Sequence, residues 1–280
     1  MYPNFIIAGA EKSGTTSLSF YLSEHPDIYI PRVKELHFFE NANNYSKGLG
    51  WYEKQFAGCK GEKAVGECTP FYMYDDTCAE KIKKAFPEIK ILFILRNPVD
   101  RAYSNYWHQV RGGKEFLPFE AALEREQRRI KKSRFHSLTY SYLDKGFYSI
   151  QIKRFFDLFD SKQLCIVIFE EFKKHPDKVL NQIYDFLGVD AINHQDAVVS
   201  SIKNKSIVPR SVYMQFFARK VLKTSAAFRA VAKINLKFGY IDYPGMKKAT
   251  RNMLNNKYLN DIKQLENMTH KSFQSWLRTE

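Results

Sequence analysis

No two cysteines of this chain are spaced to hold a metal or to form a redox pair. The four, Cys59, Cys68, Cys78 and Cys165, make no CxxC motif and have no histidine at zinc spacing. They read as reduced thiols of a cytosolic protein, with no metal site. Long apolar runs are missing as well, and the longest are far too short to span a bilayer. No basic-then-apolar leader opens the chain, because Phe5 to Ala8 runs straight into a turn. The expectation is a cytoplasmic protein without a membrane span. Repeats, low-complexity stretches and a linker that would force a split are also absent, so residues 1–280 read as one domain. Its helical C-terminal part, about 200–280, is expected to dock on the rest. Acidic charge is scarce relative to basic: 30 Asp and Glu against 44 Lys and Arg leave +14. The natural partners are therefore anionic, either nucleic acid, a phosphorylated cofactor or an acidic glycan.

What is present centres on Phe5-Ile6-Ile7-Ala8-Gly9-Ala10-Glu11-Lys12-Ser13-Gly14-Thr15-Thr16-Ser17-Leu18. An apolar run ends in a glycine-bounded turn, and a helical pattern (Leu18, Tyr21, Leu22) starts at once and stops before Pro26. Strand, tight loop and helix in that order aim free backbone N–H groups and the positive helix end at one anion site. Lys12 adds a charge, and Ser13, Thr15 and Thr16 add hydroxyls. The spacing from Gly9 to Gly14 matches a Walker-type loop, yet Thr15 follows where a nucleotide triphosphatase carries lysine.

Downstream, Asp27–Ile30 reads as a short strand closed by Pro31. If Lys34–Glu40 (KELHFFE) is extended, Glu35, His37 and Phe39 share a face, and a carboxylate beside an imidazole is a candidate acid/base pair. Gly48–Phe56 reads as a short helix, Ala64–Glu67 as a buried strand, and Cys78–Phe86 as an amphipathic helix. Ile89–Leu95 suits the centre of a parallel sheet. It ends in Arg96-Asn97-Pro98, where Asn97 can cap and Pro98 can start a helix carrying Arg101, Ser104, Asn105 and His108. A P-loop triphosphatase has a magnesium-holding aspartate at the end of that strand. Arg96 in its place, with Ser104 two turns into the next helix, suits a second anion.

Beyond Gly112-Gly113, Glu120–Arg134 is expected as one charged, solvated helix and Leu138–Phe159 as another helical region. Leu164–Phe169 reads as a strand, and a helix from Pro176 to Leu187 ends at Gly188. Residues 200–237 are basic, with Lys203, Lys205, Arg210, Arg219, Lys220 and Lys223. Asn255–Trp276 reads as an amphipathic helix docking through Tyr258, Leu259, Ile262, Leu265 and Trp276. The fold class is α/β, a central parallel sheet with a P-loop-like anion loop and helices on both faces.

Three segments then resemble a known family. Glu11–Leu18 is similar to the 5′-phosphosulfate loop of sulfotransferases that use 3′-phosphoadenosine 5′-phosphosulfate (PAPS). Ile94–Arg101 with Ser104 resembles their 3′-phosphate motif. Glu35–Phe39, followed by Gly48-Leu49-Gly50-Trp51-Tyr52, resembles the heparan-sulfate branch and its soluble bacterial relatives. The resemblance covers most of the chain to about Gly188. It implies that Lys12 contacts the bridging oxygen and the 5′-phosphate. Ser13, Gly14, Thr15, Thr16 and Ser17 would cradle that phosphate, and Arg96 and Ser104 would hold the 3′-phosphate. Tyr148 and Arg210 join this cofactor-contacting set. Glu35 matches the general base, with His37 and His108 as alternatives. The implied reaction is sulfuryl transfer to a hydroxyl or amine of a carbohydrate or small metabolite, leaving adenosine 3′,5′-bisphosphate. Two departures stand out. Glu67-Cys68-Thr69-Pro70 lacks the lysine of the branch's Glu-Lys-Thr-Pro, and no Lys-Gly-Arg segment follows, so Lys205 or Arg210 is the candidate substitute. The alternatives are a P-loop nucleoside or sugar kinase, opposed by Thr15 and Arg96, and a non-enzymatic anion binder. RNA is disfavoured because the basic residues carry no interleaved recognition motif.

Overall fold

A computed structural model describes residues 1–192, 207–222, 225–241 and 243–277. Lys203, Lys205 and Lys223 lie outside these residues. The described residues form two compact units: 1–97, 148–192 and 261–271 in the first, and 98–147, 207–222, 225–241, 243–260 and 272–277 in the second.

In the first unit the chain forms β1 (Phe5–Gly9), α1 (Thr15–Ser23), β2 (Ile28–Tyr29), α2 (Ala42–Tyr45), α3 (Gly48–Lys54), β3 (Ala64–Cys68), α4 (Cys78–Ala85) and β4 (Lys90–Leu95). The second unit takes α5 (Pro98–Arg111), α6 (Phe119–Glu124), α7 (Glu126–Ile130) and α8 (Arg134–Tyr140). The first then resumes with α9 (Tyr148–Phe156), β5 (Leu164–Ile168), α10 (Phe169–Lys174) and α11 (Pro176–Leu187). The five strands make one parallel sheet in the order β2-β3-β1-β4-β5. All five residues of β1 and of β3 are buried, as strands covered on both faces require. On one face, Phe5, Ile7, Leu92, Ile94, Cys165 and Val167 pack against Leu18 and Leu22 of α1, Phe172 of α10 and Leu180 and Ile183 of α11. Phe93 alternates to the other face and meets Phe155 of α9 edge-on, ring centroids 5.0 Å apart. Pro176 opens α11, and Gly188 at φ 82° closes it.

The second unit departs from expectation. The charged stretch 120–134 is broken at Arg125 instead of running as one solvated helix. Glu126 explains the break: it is buried, and its carboxylate accepts the backbone N–H groups of Leu143 and Asp144 at 2.8–3.0 Å. Arg129 is likewise turned inward, onto buried Glu115 at 2.5 Å. The region 138–159 is also not one helix, because a 3₁₀ turn at Asp144–Gly146 separates α8 from α9. The tail helix runs from Lys248 to Thr269, earlier at both ends than its periodicity suggests, and Trp276 sits in a following 3₁₀ turn. Of the tail residues read as docking, Tyr258, Ile262, Leu265 and Trp276 are buried and Leu259 is half-buried.

Candidate active site

The carboxyl end of β1 places the loop. After Gly9 the N–H of Ala10 donates to Ile94 O of β4 at 2.9 Å, tying the turn to the neighbouring strand. Lys12 and Gly14 both take left-handed backbone, at φ 68° and 93°. Gly14 caps α1, and a Cβ there would lie 2.6 Å from the Phe169 ring, so no other residue fits without displacing that ring. The first-turn N–H groups of α1 have no partner inside the helix. Ser13 adds a second sign of an anion cradle. It is wholly buried, and its Oγ has no hydrogen-bond partner, a costly state for a buried hydroxyl. Thr15 is buried, Ser17 half-buried and Thr16 exposed, with Thr16 Oγ1 accepting from Lys34 Nζ at 2.7 Å.

That lysine begins the segment read as extended. It is not extended: Glu35 and His37 take positive φ, 57° and 49°. The carbonyls of Leu36 and His37 both accept from Asn44 Nδ2, at 3.1 Å each, which holds the kinked backbone. The two side chains meet nonetheless, His37 Nε2 lying 3.5 Å from Glu35 Oε2. On its other side, His37 Nδ1 pairs with Glu40, a buried carboxylate the sequence reading left out. Hydrogen bonds to Glu35 and then Glu40 push the imidazole up to about 10, so it is an imidazolium at neutral pH. The His37 contact in turn holds Glu35 below its ordinary value, opposed by burial and aided by Lys34.

Beneath lies a hub that no motif announced. Glu67, wholly buried at the end of β3, accepts Thr69 Oγ1, Tyr52 Oη and Tyr72 Oη at 2.6–2.8 Å. Burial raises its pKa. Tyr72 Oη accepts the Phe38 N–H at 3.0 Å, so the hub supports the backbone beside Glu35 and His37. Part of the hub is local, since Thr69 and Tyr72 follow Glu67 within five residues, whereas Tyr52 lies fifteen residues upstream. Cys68 is buried with Sγ 3.7 Å from Thr15 O, and its thiol is pushed up to about 12.

Arg96, at the end of β4, comes within 3.4 Å of Lys12 O and packs over the Phe169 ring at 5.1 Å. Tyr148 is wholly buried and donates to Arg96 O at 2.9 Å, so it holds the arginine's backbone. The first unit therefore brings together the loop, Glu35, His37, Arg96 and Tyr148. The remaining site candidates belong to the second unit. Ser104 is buried on α5, His108 lies farther along that helix with Nδ1 3.4 Å from Arg111, and Arg210 is exposed.

Residues 2–227 match the model of the sulfotransferase domain family. The chain is 30% identical over 198 residues to human bifunctional heparan sulfate N-deacetylase/N-sulfotransferase 2, covering 67% of this chain and 22% of that protein. It is 28% identical over 291 residues to mouse bifunctional heparan sulfate N-deacetylase/N-sulfotransferase 4, covering 99% and 31%. The chain thus spans less than a third of these relatives' length. A sulfotransferase structure from Alicyclobacillus acidocaldarius is 33% identical, with 99% of this chain and all of that one covered and a TM-score of 0.77. Mouse sulfotransferase SULT7A1 complexed with PAP shares the fold at 18% identity, with a TM-score of 0.53 and 96% and 89% of the two chains covered.

Proposed function

The chain belongs to the sulfotransferase family, and we propose that it moves the sulfuryl group of PAPS to a hydroxyl or amine of a carbohydrate or small metabolite. The observation that carries this reading is the loop at the start of α1. Its buried Ser13 Oγ lacks a partner, and Gly14 is pressed against Phe169. A 5′-phosphosulfate supplies acceptor oxygens for that hydroxyl and for the first-turn amides, so the residues present fit the donor. Arg96, where a nucleoside-triphosphate enzyme would hold magnesium with aspartate, fits a second phosphate and weighs against a kinase.

When bound, the donor supplies a sulfuryl group already activated as a mixed anhydride. The protein then has two tasks. Lys12 and the helix N-terminus stabilise the negative charge that grows on the departing phosphate, which a fixed charge and fixed dipoles do without reorganising. Glu35 takes the acceptor's proton as the acceptor oxygen or nitrogen bonds to sulfur and the bond to the bridging oxygen breaks. Glu35 suits this role better than His37, because an imidazole held protonated by Glu35 and Glu40 has no lone pair to offer at neutral pH. His37 instead orients Glu35 and keeps it ionised. Arg96 grips the 3′-phosphate, with Tyr148 fixing its backbone. Ser104 and Arg210 are the family-implied additions to that grip.

For the acceptor, the heparan-type relatives and the Glu35–Phe39 segment favour a carbohydrate, and Cys68 in place of a lysine sets this chain apart from them. The test is incubation of sulfur-labelled donor with a panel of oligosaccharides and hydroxylated or amino metabolites. Transfer to a sugar hydroxyl or amine is the expected result. Transfer of phosphate from ATP with no sulfuryl transfer to any acceptor would overturn the assignment.

A further inference from the structure

Within the second unit, residues 207–241 contain no aspartate or glutamate but carry seven basic residues, Arg210, Arg219, Lys220, Lys223, Arg229, Lys233 and Lys237. Two helices occupy this stretch, Val212–Val221 and Ser225–Lys237. Their inner faces are fixed by a polar pair. Buried Asn235 donates to Gln215 Oε1 and to Ser211 O, each at 2.8 Å, and Gln215 donates to Arg111 O at 2.8 Å. That pairing settles which faces point out. On the first helix, Tyr213, Met214, Phe217, Lys220 and Val221 fall within one arc of about a third of a turn, away from Gln215. On the second, Ile234 leads to Phe238 just past its end, beside Lys233 and Lys237. The six apolar side chains are 42–71% exposed.

The four exposed apolar side chains on one arc of the first helix mark an interaction surface, with Ile234 and Phe238 adding exposed apolar area on the second, and charge decides the partner. A second copy of the chain would bring like charge against like. A sulfated glycan would match the cations but leave Phe217, Ile234 and Phe238 in water. A bilayer with anionic headgroups satisfies both, since amphipathic helices bury their apolar face at the acyl boundary and hold phosphate with Lys and Arg. We propose that the helical pair 212–238 docks this protein peripherally on anionic lipid surfaces. No helix among the described residues is long and apolar enough to cross a membrane, so the association is one of lying on the surface. The helical pair 212–238 contains none of the residues assigned to the donor.

The experiment is co-sedimentation with phosphatidylcholine vesicles, with and without about a third phosphatidylserine. The anionic vesicles are expected to carry the protein down and the neutral ones to leave it in solution. Lys220→Gln/Lys233→Gln/Lys237→Gln should cut partitioning by roughly a hundredfold, from on the order of 1 kcal/mol per cation. Phe217→Ser/Phe238→Ser, which keeps every charge, should cut it by at least about tenfold. All five side chains are exposed, so both variants should melt with the wild type. Lack of wild-type binding to the anionic vesicles would overturn the proposal. So would unchanged vesicle binding by the phenylalanine variant. Charge-dependent retention on heparin without vesicle binding would assign the surface to a glycan. A mass that doubles with concentration and reverts in Phe217→Ser would assign it to self-association.

Discussion

Gly14→Ala tests whether the loop is built as described, because two separable costs meet at one atom. The backbone at φ 93° is left-handed, where an L side chain costs roughly 1–2 kcal/mol. The new Cβ would also stand 2.6 and 2.7 Å from two ring carbons of Phe169, inside van der Waals contact. Overpacking of this kind costs about 1–3 kcal/mol. The sum, about 2–5 kcal/mol, is a large part of a stability of about 5–15 kcal/mol. At about 2–4 °C per kcal/mol the melting temperature should fall by roughly 4–20 °C. A double-mutant cycle separates the terms. Phe169→Ala on its own opens a cavity, but combined with Gly14→Ala it removes the clash, so the pair should lose less than the sum of the single variants. The backbone term persists in the double variant. Affinity for adenosine 3′,5′-bisphosphate should therefore stay depressed even where stability recovers. Strict additivity in the cycle, or a single Gly14→Ala variant as stable and as tightly binding as wild type, would refute this account of the loop.

Glu35→Gln keeps size and hydrogen bonding but removes basicity, so donor affinity should hold while turnover falls about 10²–10⁴-fold; near-normal turnover would take the base role from Glu35. His37→Asn removes the main influence holding Glu35 below its ordinary value, so the acid limb of kcat/KM should move to higher pH. The wild-type plateau should persist until His37 itself loses its proton near pH 10; an unmoved acid limb would show that the contact is not functional. Arg96→Ala should weaken the nucleotide carrying a 3′-phosphate roughly ten- to a hundredfold, the equivalent of a charge-assisted contact of about 1.5–3 kcal/mol. Equal weakening of an analogue without that phosphate, measured by calorimetry, would make Arg96 structural.

The sheet and the loop were legible because their signals are local. Phe5–Gly9 and Leu164–Ile168 are apolar strand-length runs, and Pro176 with Gly188 brackets a helix. The segment 34–40 shows the limit of such reasoning. Alternation put Glu35 and His37 on one face, and they do meet, but through positive φ at both residues and the Asn44 clamp instead of a pleat. No side-chain pattern signals left-handed backbone at Glu and His. Glu40 could have been found, since it lies three residues past His37, whereas the Glu67 hub draws in Tyr52, fifteen residues upstream, only through the fold. The charged stretch 120–134 shows that charge in the sequence does not mean exposure in the fold. Glu126 and Arg129 are instead turned inward onto partners contributed by distant residues.

Thermal unfolding with adenosine 3′,5′-bisphosphate in excess chelator tests the central claim most directly. Ligand at a hundred times its dissociation constant adds about 2.7 kcal/mol, a rise of roughly 5–10 °C for a chain of this size. That rise is expected without any divalent ion, and no rise with magnesium-ATP. Stabilisation by magnesium-ATP alone, or by neither nucleotide, would contradict it.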